Sequence, residues 1–194
     1  MSSHLQITLP EWLDVLVTEQ RQLLPSAAAR MDFVIAVARR HVEHDGGGPF
    51  AAAVFERDSG RLVSLGVNLV ISGGLSVLHA EVLALSMAQR RCGTHDLGAA
   101  QLPAHELVTS SEPCAMCFGA IPWSGVRRVL IGARAADAEA IGFDEGAKPR
   151  RWRAALAERG IETVCDVHRA SARQVLRDYA ARGGTIYTPR SEAS

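Results

Sequence analysis

The sequence predicts an α/β fold in three α/β/α layers, a five-stranded mixed sheet with helices on both faces. Three observations predict it. Short apolar runs of strand length, at 50–56, 106–109 and 126–131, alternate with segments of helical periodicity. An opening pair of extended runs is joined by Asp58-Ser59-Gly60, which is hairpin chemistry. The chain of 194 residues is long enough to bury a core as one domain without disulfide or metal staples.

Taken in order, residues 1–25 form an N-terminal arm ahead of a single domain over 26–194. Pro10-Glu11-Trp12-Leu13 opens a short helix with Trp12, Leu13 and Leu16 on one face, and Pro25 closes the arm, which reads as packing without chemistry. Ser26 caps a helix over 27–43 whose core stripe is Met31, Val34, Ile35 and Ala38. Gly46-Gly47-Gly48-Pro49 breaks it. Residues 50–56 are a strand and 61–71 its partner. Gly73-Gly74 leads into a helix that Ser76 would cap and that runs through Val82, Leu83, Leu85 and Met87 to Arg91. A polar loop over 94–103 precedes the buried strand at 106–109. The helix after Pro113 is expected to be short, because Pro122 cannot donate to the carbonyl four residues back. The β-branched run at 126–131 is a central strand. Residues 133–153 are less regular. A helix over 152–159 ends at Gly160, 162–167 is an edge strand, 172–181 a closing helix and 185–188 an extended tail.

Composition narrows the function. Lysines and arginines number 21 and so do aspartates and glutamates, so the formal net charge is zero. That balance argues against a partner made mostly of phosphate backbone. No basic segment followed by an apolar run opens the chain, and no apolar stretch is long enough to span a bilayer. The expectation is a soluble cytoplasmic enzyme that does not engage a membrane. Of the four cysteines, Cys92 and Cys165 read as reduced, partly buried residues.

The other two belong to the chemistry. His79-Ala80-Glu81 and Pro113-Cys114-Ala115-Met116-Cys117 supply an imidazole, two thiols and a carboxylate. His79, Cys114 and Cys117 are zinc ligand types, and three protein ligands with one open position is the pattern of a catalytic zinc. Glu81 is then free to move protons. On a helix His79 and Glu81 would lie about 200° apart, so they share a site only if it lies beyond the helix N-terminus. Cys114 and Cys117 share a face, with Pro113 suited to a first helical position. Two helix N-termini would converge on one metal, and their dipoles favour thiolate. A lone C-x-x-C is as readily a redox pair or half of a structural zinc site. The two motifs together, each at a helix start, favour catalysis.

The H-x-E and P-C-x-x-C pair is the known signature of zinc-dependent nucleobase deaminases, and from about residue 30 onward the chain resembles the cytidine deaminase superfamily. The resemblance implies one zinc per chain on His79, Cys114 and Cys117, with Glu81 carrying protons. It does not by itself separate cytosine, cytidine, guanine and tRNA adenosine as substrates. Gly48-Pro49-Phe50 resembles the loop that sets an aromatic ring beside the base. Asn68 matches a position that hydrogen-bonds base or sugar, and Ala80 joins the implied substrate-binding set. Ala140-Ile141-Gly142-Phe143-Asp144-Glu145 resembles bacterial guanine deaminases, the guanine and ammeline deaminase branch, and implies Glu145 as a second catalytic carboxylate. It also implies a small purine or triazine base as substrate and a homodimer, in some relatives with the C-terminal part exchanged between subunits.

Two departures concern substrate choice rather than chemistry: Ala51 stands where relatives carry glycine, and Pro122 is unusual in the cysteine helix. The competing readings are a tRNA adenosine deaminase, a cytosine or other small-base deaminase, and a non-catalytic zinc-binding module, which would leave Glu81 without a role. Residue by residue, Phe50 could be a core aromatic, Asn68 a strand-end polar group, and Asp144 with Glu145 a solvated acidic pair. His41, His44, His95, His105 and His168 lack motif context and read as surface or packing residues.

Overall fold

The computed structural model describes residues 6–20, 22–44 and 46–187. The first five residues of the arm, Arg21 within it, and Thr188, the end of the expected tail, lie outside the described residues. Five strands form one mixed sheet in the order β2-β1-β3-β4-β5. They are β1 (Ala51–Glu56), β2 (Leu62–Val67), β3 (His105–Ser111), β4 (Arg128–Ala133) and β5 (Glu162–Val164). β1 runs antiparallel to both β2 and β3, whereas β3–β4 and β4–β5 are parallel.

The alternation of side chains along each strand divides the core in two. Ala51, Ala53, Phe55, Val108 and Leu130 point into one cluster. There they meet α2 (Ala27–Glu43) and α8 (Arg169–Ala181). Ala52, Val54, Leu107, Val129 and Ile131 point into the other cluster. That cluster also contains side chains of α4 (Ala80–Cys92), α5 (Ala115–Ser124) and α7 (Trp152–Ala157). This is the three-layer α/β/α fold that the sequence predicts. The arm helix α1 (Glu11–Glu19) packs its Leu13 into the first cluster.

Several boundaries differ from the sequence reading. Ser26 caps α2 as expected, its Oγ accepting from the Ala29 N–H at 3.1 Å. The β2 strand stops at Val67 instead of continuing to residue 71, and α3 (Val70–Gly73) takes the remaining apolar residues. Asn68 causes the break: its Oδ1 accepts from the Val70 N–H at 3.3 Å and turns the chain. Pro122 sits inside α5, which runs on to Ser124 and ends at Gly125 in the left-handed region, φ 82°. The proline forfeits a single i→i−4 bond, and the helix tolerates that. The segment after β4, expected to be less regular, contains α6 (Ala135–Glu139). Of the two parallel-strand runs, β3 is the middle strand, and β4 is interior but next to the edge strand β5.

β3 is buried at every position although its sequence is His-Glu-Leu-Val-Thr-Ser-Ser. Its polar residues are matched. Glu106, fully buried, pairs with the equally buried Arg30 of α2 and with Arg128 of β4. Removing one partner of such a pair leaves an uncompensated charge and costs about 3–5 kcal/mol. The network ties α2 to the strand that carries the chain toward the cysteines.

Candidate active site

Helix α4 begins one residue after His79 and α5 one residue after Cys114, so each ligand is an N-cap. The sequence placed Ser76 at the cap of α4 and Pro113 inside α5. Both helices start later. Extended backbone at His79 (φ −74°, ψ 152°) and Cys114 (φ −63°, ψ 174°) carries these side chains beyond the helix ends. Neither side chain caps its own helix. Because His79 is not yet helical, the 200° separation from Glu81 does not apply, and both reach one site. Gly66 on β2 seats α4 against the sheet: a Cβ there would lie 2.2 Å from the Ala80 carbonyl oxygen.

His79 Nδ1 lies 3.5 Å from Cys114 Sγ and 3.6 Å from Cys117 Sγ. All three ligand atoms fall within 4.8 Å of one another. A tetrahedral zinc with its usual N and S bond lengths requires N···S separations of about 3.6 Å. The donor set therefore fits zinc in both type and spacing, and three donors leave one position open. Beside them, Glu81 is buried; its Oε1 accepts from Thr109 Oγ1 at 3.2 Å and its Oε2 from the Cys117 thiol at 3.4 Å.

The four groups act strongly on one another's protons. The hydrogen bond from Cys117, then that with His79, hold the Cys114 thiol down at about 4 against the opposing effect of burial. Cys117 is raised in turn by sharing its proton with Cys114 and by burial. Burial works against charge on His79, but the hydrogen bond and charge of Cys114, with Glu81, outweigh it and raise the imidazole. Burial, then the Cys114 charge, raises Glu81 above the ordinary carboxylate range.

A cavity of about 350 Å³ opens over the donors, walled by Phe50, Asn68, Glu81, Phe143, Glu145 and Tyr187 among others. Phe50 lies edge-on to Phe143 with ring centroids 4.9 Å apart. Asn68 is buried; since its Oδ1 accepts from Val70, its Nδ2 is the end that donates to Tyr187 Oη at 2.6 Å. Ala80 is fully buried, packs its methyl group in the second core cluster and is absent from the cavity wall.

Asp144 and Glu145, adjacent in sequence, both border the cavity but differ in burial. Asp144 is exposed and turns the chain, its Oδ1 accepting from the Gly146 N–H at 2.8 Å. Glu145 is buried in the cavity wall, and its Oε2 has no hydrogen-bond partner among the described residues. Burial, with the nearby Cys114 charge, pushes its carboxyl up to about 8. Gly142 and Gly146 flank it at φ 106° and 67°, which other residues adopt only with strain. The Glu145 carbonyl accepts from the Ala115 N–H at 2.9 Å, and the Lys148 ammonium donates to Glu112 at 2.5 Å and to the Pro113 carbonyl at 2.9 Å. These bonds hold the loop over the cysteine helix. Sequence reasoning missed Tyr187 and Phe143 as cavity residues. Phe143 lay inside the quoted stretch next to Glu145; Tyr187, a single aromatic in the tail, gave no signal.

Cys92 and Cys165 are free and partly buried, as expected. His41 and His105 are fully packed, and His168 pairs with Asp32 at the surface.

A three-layer sheet whose two helix starts bring His, Cys and Cys together, with a buried carboxylate alongside, defines the zinc-dependent nucleobase deaminase class. Residues 26–133 match the cytidine and deoxycytidylate deaminase zinc-binding region, and the chain belongs to that family. Among solved structures it is similar to a guanine deaminase from Nitrosomonas europaea, with 50% identity and TM-score 0.89, covering 93% of this chain and 98% of that one. A structure in complex with 2,6-diaminopurine is also 50% identical, TM-score 0.91, covering 98% of this chain and 100% of that one. The guanine deaminase of Bacillus subtilis is 40% identical over 99 residues, 51% of this chain and 59% of that protein. The match thus spans under two thirds of that curated relative's length.

Proposed function

We propose that this protein is a zinc-dependent aminohydrolase that converts guanine to xanthine and ammonia, with amino-triazines such as ammeline as further substrates. The observation that carries the proposal is the buried, unpartnered carboxyl oxygen of Glu145 in the same cavity wall as Phe50 and Asn68, over the three metal donors. The half-identical guanine deaminase supports it. The zero net charge weighs against a tRNA substrate.

Zinc, one ion per chain on His79, Cys114 and Cys117, would supply the Lewis acidity that makes water nucleophilic near neutral pH. The residues do the rest. Phe50 meets the planar base and Asn68 its polar edge, so orientation is fixed before reaction. The first-turn N–H of Ala80 adds a donor at the helix end. Glu81 takes a proton from the attacking water and delivers it to ring N3 while C2 becomes tetrahedral. Glu81, now ionised, takes the proton of the new C2 hydroxyl as the C2 carbonyl forms, and the amino group leaves as ammonia with that proton or with one from Glu145, which the hydroxyl proton then replaces. A carboxyl raised to about 8 is protonated at neutral pH and suited to that donation.

Ammonia release from a panel of guanine, ammeline, cytosine and adenosine in an anticodon stem-loop tests the assignment. Guanine should be turned over fastest of the natural bases. Faster turnover of the stem-loop adenosine would hand the assignment to tRNA deamination. Within the site, Glu145→Ala should keep zinc and fold yet lose most guanine turnover, whereas Asp144→Ala should change little, as isolated surface substitutions do. If both variants stay near wild type, Glu145 has no catalytic role.

The proposal includes a cytoplasmic homodimer with arm 1–25 and catalytic domain 26–194. No helix of the described residues is long and apolar enough to cross a membrane. The α5 helix leaves Trp123 81% exposed and Met116 38% exposed, an apolar face that a second copy would cover. The tail residue Tyr187 lines the cavity of its own chain; exchange of this segment between subunits would place the same side chain in the partner's cavity.

A further inference from the structure

The triple glycine of 46–48 and the buried His41 have no part in the reaction so far, and the fold brings them together. His41, on the last turns of α2, is fully buried. Its Nε2 lies 2.8 Å from the backbone carbonyl oxygen of Asn68. A carbonyl only accepts, so Nε2 carries the proton and Nδ1 is bare. Nδ1 is buried with no partner among the described residues. An imidazole that sacrifices one nitrogen in this way is costly for mere packing, since an apolar ring would fill the space without an orphan acceptor.

The glycines are wrapped around this contact. A Cβ on Gly46 would lie 2.3 Å from His41 Cε1, and one on Gly47 2.3 Å from the Asn68 carbonyl oxygen. A Cβ on Gly48 would press at 3.1 Å on the Asn68 side chain and 3.3 Å on Phe50. Gly47 also sits at φ 146°. The loop therefore closes over His41 and Asn68 only because it has no side chains, and it then delivers Phe50. On the far side, Trp12 of the arm lies 6.3 Å from the His41 ring and stacks on His44 at 5.8 Å.

We infer that His41 is a positioning residue for base binding: by donating to the Asn68 carbonyl it fixes the backbone from which the Asn68 amide and the 46–50 loop form one wall of the cavity. This rests on the proposed function of Asn68 as a base contact. His41 touches no reacting atom.

The test compares His41→Leu with His41→Gln, whose amide nitrogen can replace Nε2 as donor. His41→Leu should raise KM for guanine about tenfold, the upper scale of one hydrogen bond net of water, with kcat and zinc content nearly unchanged. His41→Gln should return KM to near the wild-type value. In an Asn68→Ala background, His41→Leu should add little, because the group it positions is gone. Amide hydrogen exchange at Asn68 and Val70 should quicken in His41→Leu and not in His41→Gln. Equal KM values for the leucine and glutamine variants, or full additivity with Asn68→Ala, would overturn the inference. Should His41→Leu fail to fold, Gly47→Ala attacks the same contact from the other side and must raise KM in the same way. If the wild type turns over no guanine, the functional reading fails. The exchange measurement then still decides whether His41 holds this wall.

Discussion

Cys114→Ser is expected to lose most of its bound zinc and all measurable deamination. The serine keeps the size of the side chain but replaces a soft, readily ionised donor by a hydroxyl. The native thiol is held near 4 by Cys117 and His79, so it is poised as the thiolate a metal requires. Cys114 sits at an N-cap with extended backbone, a position serine occupies readily, so α5 should still start at Ala115. Metal analysis on the purified variant, beside its circular dichroism, separates lost metal from lost fold. Full zinc occupancy in Cys114→Ser would show that the ligand set is wrong.

The second large effect is expected at Glu81. Glu81→Gln preserves shape and the hydrogen bond from Thr109 Oγ1 but removes the base. Its zinc content should stay near wild type while turnover falls by at least ~10²-fold, the usual scale for one general acid–base group. The separation of the two readouts is what matters: His79, Cys114 and Cys117 form the donor cluster without Glu81. A normal rate in Glu81→Gln would sink the proton-transfer scheme, and a parallel loss of zinc would make Glu81 a ligand instead. A non-catalytic zinc module predicts no ammonia from any base, in the wild type or the variant.

Much of this was legible in the sequence because it is local. The caps, hairpin and helical stripe depend on neighbours within a few residues, which is why α2 begins and ends where Ser26 and Glu43 predict. The C-x-x-C spacing puts two thiols on one turn whatever the rest of the chain does. The errors arose where a single contact overrides the preference of the residue run. Leu69, Val70 and Ile71 favour a strand, but the Asn68 side chain accepts from the Val70 N–H and the sheet ends at Val67. Ser76 is a good cap by type, but the α4 start moves to His79, where the imidazole meets two thiols from 35 and 38 residues away.

By itself the sequence determined the types of the candidate metal donors, the carboxylate two residues from His79, the alternation of strands and helices, and the zero formal net charge. Each follows from residue identity and short-range spacing. Only the tertiary structure decided which acid of the Asp144-Glu145 pair is buried in the cavity wall, that Tyr187 reaches Asn68 across 119 residues, and that His41 meets the Asn68 carbonyl from behind. The reason is physical: burial and long-range hydrogen bonds depend on how helices and loops pack against the sheet, and neither adjacent carboxylates nor an isolated histidine carry that packing in their spacing.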